Sequence, residues 1–294
     1  MPRWIKTVFF IIAAIFALIG LLFTTVFIAM QFNLLNVRGS SMERNSFFTT
    51  GLNWQKGGAG PAAVATPIES QPCADKAVKA CSWNETPEWA VVKGGLEKDS
   101  GVIARVAKET GVSPRLIAAV VIPEQIRFFT SEREVFKRYF EPLKILGSLS
   151  QFSLGVSGIK QETANQIEQY ASDTTSPFYP GPEAATLLAY PAGTNHDSAL
   201  YARLTDPKDH YYSYLYTALY IKEVLAQWRA AGFDISTNAA AVVTLFNIGF
   251  QSSHPNASPQ PAGAAITTGG QVYPFGVLGG LFYQSSELES ILPR

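Results

Sequence analysis

Residues 7–30 read TVFFIIAAIFALIGLLFTTVFIAM, a run of 24 residues without a charge. As a helix rising 1.5 Å per residue it reaches roughly 36 Å, enough for a hydrocarbon core of about 30 Å with some tilt. A helix apolar on every side needs apolar surroundings on every side, so the run is expected to span a membrane rather than join a water-facing core. A cleaved leader has a shorter apolar core and an A-x-A-like site, and Ile28-Ala29-Met30-Gln31-Phe32 offers none. Residues 1–31 are therefore expected to be an uncleaved transmembrane signal anchor.

Orientation is a closer matter. Arg3, Lys6 and the terminal amine precede the run, while Arg38 and Arg44 follow it, so the positive-inside rule nearly balances. The only two cysteines, Cys73 and Cys81, are separated by seven residues. A disulfide between them would clip a Pro-containing loop and place it in an oxidising compartment; two separate thiols are the alternative. Together these signs favour a single-pass inner-membrane protein with its C-terminal part on the periplasmic or extracytoplasmic side. Acidic and basic residues balance, 23 against 23, so no basic field argues for nucleic acid as a partner. His196, His210 and His254 show no metal-ligand spacing to one another or to a cysteine, so neither a metal site nor a cofactor is expected.

Residues 32–95, rich in Asn, Ser, Gly, Ala and Pro, read as a linker or stalk, with a small ordered piece from the cysteines to Trp89. From residue 96 to 294 a single, mainly α domain is expected. Val102, Ile103, Val106 and Ala107 recur at helical spacing until Gly111. Ser113 caps a second helix with Pro114 at its first position, and Leu116, Ile117, Val120 and Val121 form its buried stripe up to Glu124. Pro123 is expected to kink it. Further helices are expected at 131–140, 162–170, 183–189, 197–204 and 211–231, the last capped by Asp209. Another at 238–247 is capped by Thr237, and a short one at 286–292 closes the chain. Residues 250–276 read as loop, with a hairpin around Thr268-Gly269-Gly270-Gln271.

Glu124 follows the apolar run Leu116 to Pro123. A carboxyl against such a surface is partly desolvated, which disfavours the charged form and suits a general acid. The plainer alternative is a solvated helix end. Downstream come Phe152-Ser153-Leu154-Gly155-Val156-Ser157-Gly158-Ile159-Lys160-Gln161-Glu162-Thr163-Ala164, and later Thr244-Leu245-Phe246-Asn247-Ile248-Gly249. In this order the segments resemble the lysozyme-like domain of lytic transglycosylases over about residues 97–250. That family has a helix ending in a catalytic Glu, a Ser-x-x-Gly-hydrophobic turn leading into a helix, and an Ala-Tyr-Asn-x-Gly helix end lining a cleft. The chain departs from it at Gln125, where Ser is usual. Gly158 or Ser157 stands in place of Gln, and Phe246 in place of Tyr.

The resemblance implies cleavage of the β-1,4 bond between N-acetylmuramic acid and N-acetylglucosamine in peptidoglycan strands. It makes Glu124 the catalytic acid and base, with Gln125, Ser153, Gly155, Tyr214, Phe246 and Asn247 lining the substrate site. Gly155 and Gly158 answer backbone demands, and Asn247 serves either a ligand or the backbone. Glu132, Glu134 and Glu162 read as surface charge. The tyrosines at 211, 212, 214, 216 and 220 either wall a sugar cleft or pack the core of an amphipathic helix, the second being favoured. Three functions stay open: a membrane-anchored glycan-cutting enzyme, an inactive lysozyme-like module that binds peptidoglycan or scaffolds an envelope complex, and a structural membrane partner of unrelated helical fold.

Overall fold

The structure, a computed structural model, describes Gly20, Leu21 and residues 80–130, 153–206 and 208–294. The chain divides into two units, residues 1–40 and 41–294. In the first, Gly20 and Leu21 are helical and exposed; the rest of the expected membrane span lies outside the described residues, as does the expected helix at 131–140. Among the described residues no helix is long and apolar enough to cross a membrane.

The second unit is mainly helical. Its first helix, α1 (Pro87–Thr110), follows a 3-10 turn at Trp83–Glu85. Thr86 Oγ1 accepts from the Trp89 amide at 3.1 Å, and the Gly111 amide closes the far end on Ala107 O. The expected linker thus ends too late in the sequence reading. Trp89, Val92, Leu96, Ile103 and Val106 form one buried stripe beginning well before residue 96. Gly94 and Gly95 interrupt the helical signal; both face open space, where a missing side chain removes no packing.

Helix α2 (Pro114–Thr130) starts as expected, with the Leu116 amide on Ser113 Oγ, but runs through Pro123 and past Glu124. Next come the strands β1 (Ser153–Leu154) and β2 (Ile159–Lys160), then α3 (Gln161–Ser172), α4 (Glu183–Leu188) and α5 (His196–Thr205). Helix α6 (Tyr211–Ala230) is the axis of the core, buried without a break from Ser213 to Ile221. Its N-cap is His210 rather than the expected Asp209, whose Oδ1 accepts from the Tyr211 amide at 2.9 Å from one residue further out. Helix α7 (Ala239–Ile248) is capped by Asn238 rather than Thr237, its Oδ1 taking the Ala241 amide.

The hairpin of β3 (Ala265–Thr268) and β4 (Gln271–Pro274) turns at Gly269-Gly270, as the sequence indicates. It leads into α8 (Phe275–Gln284), which begins at the end of the expected loop and covers a stretch to which no element was assigned; within the expected closing helix at 286–292, residues 287–291 are turns. The glycines that hide α8 in the sequence are what let it pack on α7. A Cβ at Gly276 would overlap Thr244 Oγ1 and lie 2.7 Å from Ala240 O, and one at Gly280 would lie 2.7 Å from Ala240 Cβ. In an open helix Gly276→Ala would gain about 1 kcal/mol of propensity. Here overpacking, at about 1–3 kcal/mol, outweighs it. The urea midpoint of Gly276→Ala is expected to fall, and an unchanged or higher midpoint contradicts this packing.

Candidate functional site

The β1–β2 hairpin pairs Ser153 with Lys160 and Leu154 with Ile159 around a four-residue loop, Gly155 to Gly158. Both glycines have positive φ, 64° and 66°, backbone that glycine adopts without strain. Each is also held by its neighbours. A Cβ at Gly155 would overlap Ser213 Oγ and Leu204 O, while Ser157 Oγ donates to Ser213 O at 3.1 Å. The hairpin is thereby seated on the start of α6.

Its other side meets α2. Gln125 Nε2 donates to Val156 O. The Glu124 side chain lies across Gly158, where a Cβ would stand 2.6 Å from its Cδ and Cγ. Glycine at 158 therefore makes the berth that this carboxyl occupies. Arg127, one turn on, reaches both carboxyl oxygens through Nη2, at 2.5 and 2.6 Å. The Glu124 side chain is 11% exposed and that of Arg127 22%. The apolar surround expected for Glu124 is thus corrected: it lies inside a helix, half-buried, against a glycine turn and a guanidinium.

The structure brings the first and second motif segments into contact, while the third turns to other partners. Asn247 Oδ1 accepts from the Ala264 amide at 2.8 Å, the backbone role among the two expected. Phe246 meets the Tyr220 ring edge-on at 5.1 Å. Tyr214 does not face a groove: it is buried, donating its hydroxyl to Asp99 Oδ2 at 2.8 Å, and burial raises its pKa. Core packing is the role of Tyr216 and Tyr220 as well. Gln125 is spent on the hairpin backbone. Ser153 contributes its backbone to β1; its side chain lies outside the described atoms. Glu162 is exposed, as read, whereas Glu132 and Glu134 fall outside the described residues. Cys81 is disulfide-bonded, and its expected partner Cys73 lies outside the described residues.

Four polar groups were not singled out in the sequence. Glu168 takes the hydroxyls of Tyr190, at 2.6 Å, and Tyr216 on Oε1, and His196 Nε2 on Oε2. Burial, aided by that carboxylate, pushes the Tyr190 phenol up to about 12, and the bond to Glu168 raises the His196 pKa. Asp99 pairs with His210 Nδ1 at 2.6 Å. Arg115 and Glu223 are fully buried. Among the described residues no group of three His, Cys, Asp or Glu is placed to hold a metal ion. In comparisons with known proteins, the chain matches no family model, no curated protein and no solved structure.

Proposed function

We propose that this is a membrane-anchored protein with a lysozyme-like helical body that cuts peptidoglycan glycan strands, with Glu124 as its acid and base. The observation that carries the reading is the Glu124 carboxyl lying on Gly158, which joins two motif segments 34 residues apart in the order of the resemblance. A shielded carboxyl at a hairpin lip suits protonation of a leaving oxygen. Glu124 gives its proton to the glycosidic oxygen as the bond from the muramoyl C1 breaks. The same carboxylate then takes the proton of the muramoyl 6-hydroxyl as that oxygen closes on C1, giving a 1,6-anhydro end. The apolar run at 7–30 anchors the chain, and the body works on the periplasmic or extracytoplasmic side.

A second reading, glycan binding without cleavage, is favoured by one feature: Arg127 engages both oxygens that the acid needs. Incubating the full-length protein with purified peptidoglycan and analysing the muropeptides separates the two. Cleavage predicts anhydro ends, falling about a hundred-fold or more with Glu124→Gln, the worth of a positioned general acid. Strands retained without products support the binding reading. Neither products nor retention refutes both.

A further inference from the structure

Resting on the glycan reading above, we infer that Gln125 is a positioning residue of the site, holding the glycine turn against the Glu124 carboxyl without touching the strand. Side chains at consecutive helical positions diverge by about 100°, yet Glu124 and Gln125 both reach the same four-residue loop. The Glu124 side chain lies across Gly158, and Gln125 Nε2 donates to Val156 O. A carbonyl can only accept, so the Gln125 amide must meet it through its nitrogen. The loop closes on itself elsewhere, with the Gly158 amide on Gly155 O at 3.3 Å. Val156 O is thus left for the helix.

On its other side the loop is seated on α6, through Ser157 Oγ on Ser213 O and through Gly155 against Leu204 O. Those contacts hold the hairpin to the body without Gln125. The Gln125 bond crosses directly from α2 to the loop, and it sets how closely the turn approaches the helix. That gap is the berth of the carboxyl. A displacement of about 1 Å at a reacting group can cost about a hundred-fold in rate. Gln125 acts through Glu124, so its loss falls on kcat and leaves KM alone.

The test is cleavage of purified peptidoglycan by the full-length protein. Gln125→Met, similar in length and without a donor, is expected to lower kcat about ten- to a hundred-fold with KM within about two-fold. Its melting temperature should move by no more than about 4 °C, the scale of one lost hydrogen bond. Gln125→Glu gives a readout that a merely structural role would not move, because its carboxyl donates to Val156 O only while protonated. Glu124 and Arg127 are its charged neighbours on α2, and the loop from Gly155 to Gly158 carries no charge. Rates are therefore taken relative to the wild type at each pH. The Gln125→Glu ratio should approach one below about pH 4 and fall as the new carboxyl ionises, while the Gln125→Met ratio stays flat. A Gln125→Met protein that keeps the wild-type kcat, one whose loss lies in KM or follows its melting temperature, or a flat Gln125→Glu ratio overturns the positioning role and leaves the glycan reading standing. A wild type that releases no products overturns it together with cleavage itself.

Discussion

Replacing Arg115 with methionine is expected to cost about 3–5 kcal/mol of stability, since several carbonyls lose a donor and a buried one left unsatisfied costs about 1–3 kcal/mol. The side chain is fully buried and has no carboxylate partner among its described hydrogen bonds; its partners are carbonyls. Nε donates to Tyr283 O at 2.8 Å, Nη1 to Glu287 O at 2.9 Å, and Nη2 to Phe282 O at 2.8 Å and to Ser285 O. Phe282 and Tyr283 belong to the last turn of α8, whose carbonyls carry the negative end of the dipole. One guanidinium thus caps α8 and pins the final turns of the chain. Methionine matches its volume but withdraws every one of these donors, leaving Phe282 O to the Ser285 amide and hydroxyl and Tyr283 O to Arg294. Arg115→Lys should recover only part, because an ammonium cannot span the fork. Denaturant unfolding measures the loss, and amide exchange should show lost protection in residues 285–292. A loss under about 1 kcal/mol would mean that water replaces the guanidinium without penalty.

Glu223 carries the opposite expectation: replacing it should stabilise the fold. It is fully buried on α6, and among the described residues neither carboxyl oxygen has a hydrogen-bond partner. Tyr220 from its own helix and Tyr170 from α3 are the titratable groups that feel it. Burial raises its pKa well above the ordinary carboxyl value of 4.5. With the folded-state value raised, the fold keeps its full stability below the unfolded-state value and loses it as pH climbs toward the folded-state value. The loss is about 1.4 kcal/mol per pH unit over that window. Glu223→Met, close in shape and without a charge, should therefore melt near the wild type at pH 4.5 and progressively higher as pH rises. A melting-temperature difference that stays constant with pH would contradict the burial of a partnerless acid.

These two residues show what the sequence conceals. Arg115 follows Pro114 at a helix start, where nothing in the neighbouring residues marks it as buried. Only the return of the chain end over α2 makes it a cap. Glu223 follows Lys222 on a helix rich in polar tips, and nothing local announces that α6 is enclosed on nearly every side. What was legible rested on local chemistry: the glycine stop at Gly111 and the cap at Ser113 mark real helix ends. Where local propensity and packing conflict, the reading failed. Gly276, Gly279 and Gly280 weaken α8 as an isolated helix yet allow its close approach to α7 and α2, where a Cβ at Gly279 would lie 2.5 Å from Ala119 O.

The candidate site divides along the same line. The order of segments placed Glu124 and the glycine turn together, and Gly155 and Gly158 follow from backbone need. Tyr214 and Asn247 were drawn toward a cleft by analogy, whereas their hydrogen bonds close within the body, on Asp99 and Ala264. Arg127 escaped notice because a cation three residues after a glutamate is ordinary helix surface. Its significance comes from the hairpin that folds over the pair.

The most direct trial of the Glu124 proposal is to digest purified cell-wall sacculi in heavy-oxygen water with the full-length protein and weigh the newly made sugar ends. Ring closure by the strand's own hydroxyl predicts ends that carry no heavy oxygen and that disappear when Glu124 is changed to glutamine. Ends formed in equal yield by the Glu124→Gln protein would contradict the account.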